Sequence, residues 1–437
     1  MRAAFIRPLF FLALLLWGPF ASAVLPIEHW VSSRGTRVYF VRADSIPMLD
    51  INIDFDAGAR HDPPAKSGLA AMTAGTLARG VAGLDEAALA ERLADIGASQ
   101  GAGAGDDRAS ASLRTLTSPR ELDAAVALLA KLVSQPTFPE VPLQRERERV
   151  IQGLREAAVK PDAIAQRTFS ELIYPRHPYG RDPLPETITA ITRDDLVDFH
   201  RRYFGANRAV VSIVGAIDRA RAEAIAEQVT RDLPQGVTPA PMPPVDAPAA
   251  VERRIPHPAT QSHIVIGAPA MARSDPDFFP LFVGNYVLGG GGFVSRLTAE
   301  VREKRGLSYS VYSYFSPMMQ PGPFAIGLQT RKSQTDEALA VVRQTLEGFV
   351  RDGPTEAELI AAKQNLVGGF ALRIDSNRKI LDNIANIGWY QLPLDYLERW
   401  TDQVEKVTIA QVREAFGRKV FPDRLVTVIV GAGEAKP

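Results

Sequence analysis

ITRDDLVDFHRRYFGANRAVVSIVGAID, residues 191–218, decides the fold, because its outline occurs a second time. Residues 191–196 open a helix, and the apolar run AVVSIVG at 209–215 reads as a buried strand. The counterpart is VTIAQV at 407–412 followed by LVTVIVGAGE at 425–434. Moving outward, Ser118 opens a long helix in the first half and Ser333 opens one in the second. MLDINIDFDAGA (48–59) pairs with QSHIVIGAPA (261–270), and the offset stays near the same value at each match. A duplicated domain follows. Strands and helices interleave irregularly, without the strict βαβ order of a doubly wound sheet, so the class is α+β.

The remaining elements fit that frame. Residues 36–41 and 48–55 read as strands, the second alternating apolar and polar. Residues 68–77 are apolar and rich in small side chains, as in a buried helix. Residues 86–96 form a helix with Leu89, Leu93 and Ile96 on one face and Gly97 as its stop. The small-residue run 101–113 is strand or loop. Ser118-Pro119-Arg120-Glu121 has the form of a capping box with proline at the first helical position. Its helix carries Leu122, Val126, Leu129 and Val133 on one face. Residues 145–158 are a charged helix. In the second half, Leu339, Val342, Leu346 and Phe349 share a face, Gly353 ends the helix, and Thr355 to Glu358 caps the next. Between the halves, residues 233–255 carry repeated proline and no apolar period, the composition of an extended linker.

Composition bounds the function. Arg2 and Arg7 precede a short apolar run, Leu9 to Trp17, and Ala21-Ser22-Ala23 is an A-x-A cleavage site; residues 1–23 read as a secretory signal peptide. Periplasmic export is the expectation. No later run is apolar enough to span a membrane. The 437-residue chain has no cysteine, which excludes disulfides, thiolate ligands and a Cys nucleophile. Lysine plus arginine, at 50, equals aspartate plus glutamate, so no net charge draws the chain to nucleic acid. The six histidines, His29, His61, His177, His200, His257 and His263, include no pair spaced to share a helix face.

One stretch carries candidate chemistry. GNYVLGGGGFVSRLTAEVREKRGLSYSVYSYF, residues 284–315, holds four consecutive glycines, Gly289, Gly290, Gly291 and Gly292. A helix is expected after them, with Val294, Leu297 and Val301 on its apolar face and Gly306 as its stop. A strand is expected over 307–315. The reversal at Gly306 brings Arg302 and Tyr309 toward one place. On these residues alone, a glycine turn with a surface arginine and a half-buried tyrosine is the leading reading.

Four stretches together resemble the insulinase-like zinc metallopeptidases, the family that includes pitrilysin and the mitochondrial processing peptidase: DAGARHDPPAKSGLA (56–70), HPYGRDPL (177–184), residues 191–218, and LGGGGFVSRLTAEVREKRGLSYSV (288–311). The resemblance covers nearly the whole mature chain. It implies two homologous processing-peptidase-like domains, residues 24–232 and 257–437 around a linker at 233–256, each an antiparallel sheet with helices packed on it. It also implies two chains or half-molecules closing around a peptide. Active members carry His-x-x-Glu-His just after the Ser-Gly-Leu-Ala stretch, where two imidazoles bind Zn²⁺ and the glutamate activates water. Here the histidine positions hold Ala71 and Gly75, and the base position holds Ala74. The third ligand falls near Gly153, with Glu156 off register. Methyl groups and a hydrogen neither bind a metal nor move a proton.

The same resemblance implies that Arg302 and Tyr309 match an arginine–tyrosine pair that faces the zinc across the cavity, and that the glycine loop contributes to substrate binding. The expectation is a zinc-less subunit, with no cofactor of its own, in a heterodimer whose partner carries the zinc. The competing expectation is a scaffold or peptide-binding homologue with no part in catalysis. An edge strand within 101–113 is the candidate for pairing with peptide backbone.

Overall fold

Six consecutive buried residues, Val210–Gly215, lie inside one sheet, and the buried strand Val426–Val430 lies inside a second. A computed structural model describes residues 26–431, so the expected signal peptide lies outside the described residues. The strands in chain order are β1 (Glu28–Val31), β2 (Arg37–Arg42), β3 (Met48–Phe55), β4 (Gly80–Val81), β5 (Leu84–Asp85), β6 (Ser99–Ala104), β7 (Ala109–Leu116), β8 (Val210–Gly215), β9 (Val251–Ile255), β10 (Gln261–Met271), β11 (Val311–Phe315), β12 (Gly322–Arg331) and β13 (Val426–Val430). Only β4 and β5 stand apart, as a small hairpin.

The first sheet runs β1-β2-β8-β3-β7-β6 and the second, read in the same sense, β9-β13-β10-β12-β11. From β2 onward the two are one pattern. β2 is parallel to β8 and β9 is parallel to β13; every other neighbouring pair is antiparallel. The duplication is therefore a duplication of topology. The expected antiparallel sheet contains one parallel pair in each copy. β9 falls inside the proline-rich segment read as linker, so the second sheet begins within it.

Each sheet is covered on both faces. On one face of the first sheet, helices Leu69–Thr76, Pro119–Ser134 and Arg219–Thr230 bury a large core with Leu122, Val126, Leu129 and Val133 in it. On the opposite face lies Asn377–Tyr390, a helix of the second half, packing Ile380, Ile384 and Ile387 on Tyr39, Val41, Val210 and Val214. The second sheet shows the reverse. Its own helices cover one face, and Pro161–Ile173 of the first half covers the other, with Phe169 and Ile173 against Val426, Val428 and Val430. The duplicated units have exchanged equivalent helices. Close approach makes this possible: a Cβ on Gly388 would lie 2.7 Å from the Tyr39 ring.

Local signals behave as their chemistry dictates at some helix ends and not at others; Ser333 lies in a turn before helix Thr335–Asp352 and does not cap it. Thr355 and Glu358 form a reciprocal capping box, the Thr355 N–H donating to the Glu358 carboxylate at 2.7 Å. Gly306 and Gly353, at φ +62° and +74°, end their helices in a backbone region that favours glycine. At Ser118 the expected box is half made: Pro119 starts the helix, but the Ser118 hydroxyl donates to the Glu121 carboxylate instead of accepting a backbone N–H.

Candidate functional site

Between the glycine run and β11 the chain builds an exposed cationic cluster. Gly289 packs against β11 so tightly that a Cβ would lie 2.5 Å from the Ser313 nitrogen. Asn285 reinforces the contact, donating to the Ser313 carbonyl at 3.1 Å and accepting from its hydroxyl at 2.7 Å. Gly292, at φ +62°, then turns the chain outward. Gly289 is buried, while Gly290 and Gly292 are exposed and Gly291 is half-buried.

The next residues depart from the expected helix. Ser295 is extended, with φ −82° and ψ 152°, and its hydroxyl donates to the Gly292 carbonyl at 2.7 Å. The helical turns begin after it and widen to a π-helix over Thr298–Glu303. Leu297 and Val301 enter the core as expected. Val294 does not: it and Phe293 are each 74% exposed, because Ser295 separates them from the helix. The strand also starts later than expected, at Val311, so Tyr309 sits in the preceding loop and is 82% exposed.

The structure does bring Arg302 and Tyr309 together. The Arg302 guanidinium carbon lies 4.8 Å from the centroid of the Tyr309 ring and 4.7 Å from that of Phe293. The cation is held between two rings, an attraction on the order of 0.5–1 kcal/mol per ring at an exposed site. Its one nearby carboxylate is that of Glu303, 3.4 Å from Nε. Phe293 is the member that sequence reasoning missed; an aromatic directly after four glycines was the available signal.

The helix at the metal-motif positions offers no donor. On Leu69–Thr76, Ala71 is exposed, Ala74 is buried and Gly75 is half-buried. Gly153, on helix Glu140–Ala157, is exposed with nothing within 4 Å of a would-be Cβ. The carboxylate that does face this helix is Glu146, whose Oε1 lies 3.9 Å from where a Gly75 Cβ would stand. Glu146 is engaged by Arg149 and lies 3.5 Å from Arg79, and the Arg149 hydrogen bond holds its carboxyl below the usual range. Among the described residues no three His, Asp or Glu side chains converge as a metal site. These residues do not fit zinc.

His61 is engaged elsewhere. Its Nε2 lies 2.9 Å from Asp56 Oδ1, and its ring stacks on Tyr203 at 4.5 Å. Asp56 also pairs with Arg60 and accepts from Arg208 Nε at 2.7 Å. Burial pushes the Asp56 carboxyl up, but the His61 hydrogen bond and the two arginines outweigh it and bring it down to about 2. This knot fixes the loop that leads into helix Leu69–Thr76.

β6 ends the first sheet with small side chains, Ser99–Ala104, and no strand on its outer side. β11 ends the second sheet, but there Asn285 occupies the Ser313 backbone carbonyl.

Two sheets of one topology, exchanged helices and a glycine turn before an arginine–tyrosine pair define a peptidase-like α+β fold without its metal ligands. Residues 37–184 match the insulinase family, peptidase family M16, and residues 190–366 match the peptidase M16 inactive domain. The chain is 37% identical to the peptidase M16 inactive domain from Pseudomonas fluorescens, whose crystal structure superposes with a TM-score of 0.91 over 94% of this chain and 99% of that one. It is 25% identical over 363 residues, 82% of this chain and 88% of the relative, to the uncharacterized zinc protease YmxG of Bacillus subtilis. It is 26% identical over 414 residues, 92% and 94% of the two chains, to the non-peptidase homolog YmxG of Helicobacter pylori. The chain belongs to the insulinase (M16) family.

Proposed function

We propose that this chain is the zinc-less subunit of a periplasmic heterodimeric insulinase-family peptidase. The partner supplies zinc and general base; this chain supplies Arg302, Tyr309, the glycine loop and half of the chamber. The observation that carries the reading is the Arg302 guanidinium held between Phe293 and Tyr309 while Ala71, Ala74 and Gly75 stand at the metal-motif positions. Arg302 itself is half-buried, so the two exposed rings present its guanidinium in one set position. Tyr309 would donate its hydroxyl to the oxyanion that develops on the scissile carbonyl, and Arg302 would hold a neighbouring substrate carbonyl. The open edge of β6 would pair with the peptide backbone, which suits substrates of many sequences. The location rests on the N-terminal sequence; among the described residues no helix is long and apolar enough to cross a membrane.

The test is reconstitution with a zinc-bearing member of the family. Tyr309→Phe should lower kcat about tenfold to a thousandfold, as loss of one oxyanion donor does. The fall should appear equally in kcat/KM, because the contact is made in the transition state. Arg302→Ala should also raise KM. Unchanged kinetics in complexes that still assemble would favour the second reading, a scaffold or peptide-binding homologue, which the name of the Helicobacter pylori relative supports.

A further inference from the structure

Ser310, the residue after Tyr309, lines a hollow of about 290 Å³ between the start of helix Pro161–Ile173 and the strands β10, β11 and β12. Its polar walls are Asp162, Gln166, His263, Ser310, Tyr312 and Gln329, and no lysine or arginine lines it. Tyr312 is half exposed, and its ring lies on Gly327, where a Cβ would be 2.6 Å away; the ring's orientation is set by that contact. Burial holds the His263 imidazole below its ordinary value against the opposing pull of Asp162. Asp162 stands in the first helical turn, where its charge offsets the positive helix end. The walls therefore offer hydrogen-bond acceptors, one exposed carboxylate and an aromatic face.

Ala163 and Gln166 also line a second hollow of about 430 Å³ on the far side of the same helix, which reaches Leu154 beside Gly153. The cation there, Arg167, is already engaged, donating to the Pro183 carbonyl at 3.0 Å and lying 3.8 Å from Asp182. The two hollows flank the start of helix Pro161–Ile173, one toward Ser310 and the other toward Leu154.

We propose that the hollow beside Ser310 is a subsite for an arginine or lysine side chain of an extended peptide. The charge complement argues for that occupant: an exposed carboxylate, acceptor amides and hydroxyls, and a fixed tyrosine face are the partners a guanidinium takes. The proposal rests on the peptide-binding reading above and deepens it by naming the substrate class.

The experiment uses the purified chain alone, so its failure is separate from failure of the heterodimer test. A fluorescein-labelled, unstructured peptide with one central arginine in a glycine–serine–alanine sequence is compared by anisotropy with its citrulline counterpart. The arginine peptide should bind about 5- to 30-fold more tightly, the range set by one desolvated cation–π contact with a carboxylate nearby. Asp162→Asn should reduce that preference to about twofold or less, as should Tyr312→Leu, while Tyr312→Phe should keep it. Asp162 is exposed, so its variant folds even where a Tyr312 variant does not. Equal binding of the two peptides, binding of neither, or a preference that survives Asp162→Asn would each overturn the proposal.

Discussion

At Ala74 the chain has closed the space that a catalytic base needs. The residue is 1% exposed in helix Leu69–Thr76, and a glutamate there would be a buried carboxylate without a partner. Ala74→Glu should cost roughly 3–5 kcal/mol of stability, read by urea denaturation. With Ala71→His and Gly75→His added, the chain should still hold no stoichiometric zinc by elemental analysis. The carboxylate nearest Gly75 is Glu146, and Arg149 and Arg79 hold it. Tight zinc in that triple variant would mean that Glu146 leaves its arginines to become a ligand. That residues 71, 74 and 75 carry no metal-coordinating side chain is a matter of residue type alone. The place of Glu146 was not legible, since the helix pairing that sets it beside Gly75 is a tertiary fact. Arg302 and Tyr309 were legible as a pair; Phe293 carried only the signal of an aromatic after four glycines, because the extended Ser295 that frees it from the helix is not written in a short-range period.

Among elements, the reading succeeded where period and punctuation agreed. Pro119–Ser134 and Thr335–Asp352 bury the faces that their apolar spacing named, and Gly306 and Gly353 stop helices as glycine does. It failed to see helix exchange, because the apolar faces of Pro161–Ile173 and Asn377–Tyr390 do not say which sheet they meet. That exchange predicts opposite signs for two similar substitutions. Gly388→Val drives a side chain into Tyr39 and Val210 and should cost about 1–3 kcal/mol. Gly417→Ala, in a helix with nothing within 4 Å, should gain about 0.5–1 kcal/mol. Denaturation midpoints check both. The loop into helix Leu69–Thr76 carries a pH signature. Asp56 is brought down to about 2, below the unfolded carboxylate value, so its contribution is full above about pH 4 and is lost as pH falls through about 2. Asp56→Asn should lower stability at pH 7 by about 2–3 kcal/mol and flatten the acid limb of the stability curve in that window.

Over the whole molecule, contacts between the halves are more than packing. Arg37 donates to the Gly388 carbonyl at 3.0 Å, Arg108 to the Asn386 side chain at 2.8 Å, and Tyr174 to the Pro321 carbonyl at 2.9 Å. The Met319 N–H donates to Asp107 at 2.9 Å. A chain divided between Pro239 and Ala240 should yield two fragments that are insoluble apart, since each exposes the sheet face that the other's helix covers. Expressed together, they should co-purify. A soluble, cooperatively melting first fragment would show that the borrowed helix is dispensable.

The traded helices also say something about descent. A unit whose sheet is finished only by a helix from a sister unit has no complete monomeric form. Before the duplication was joined into one reading frame, a single-unit ancestor built this way would have existed as a pair of identical chains, each dependent on meeting its twin. Joining two such chains through a segment like the proline-rich one here would turn that encounter into a permanent neighbourhood and remove its dependence on abundance. It would also free the two copies to diverge: one could lose its outer-edge opening to Asn285 while the other kept β6 bare.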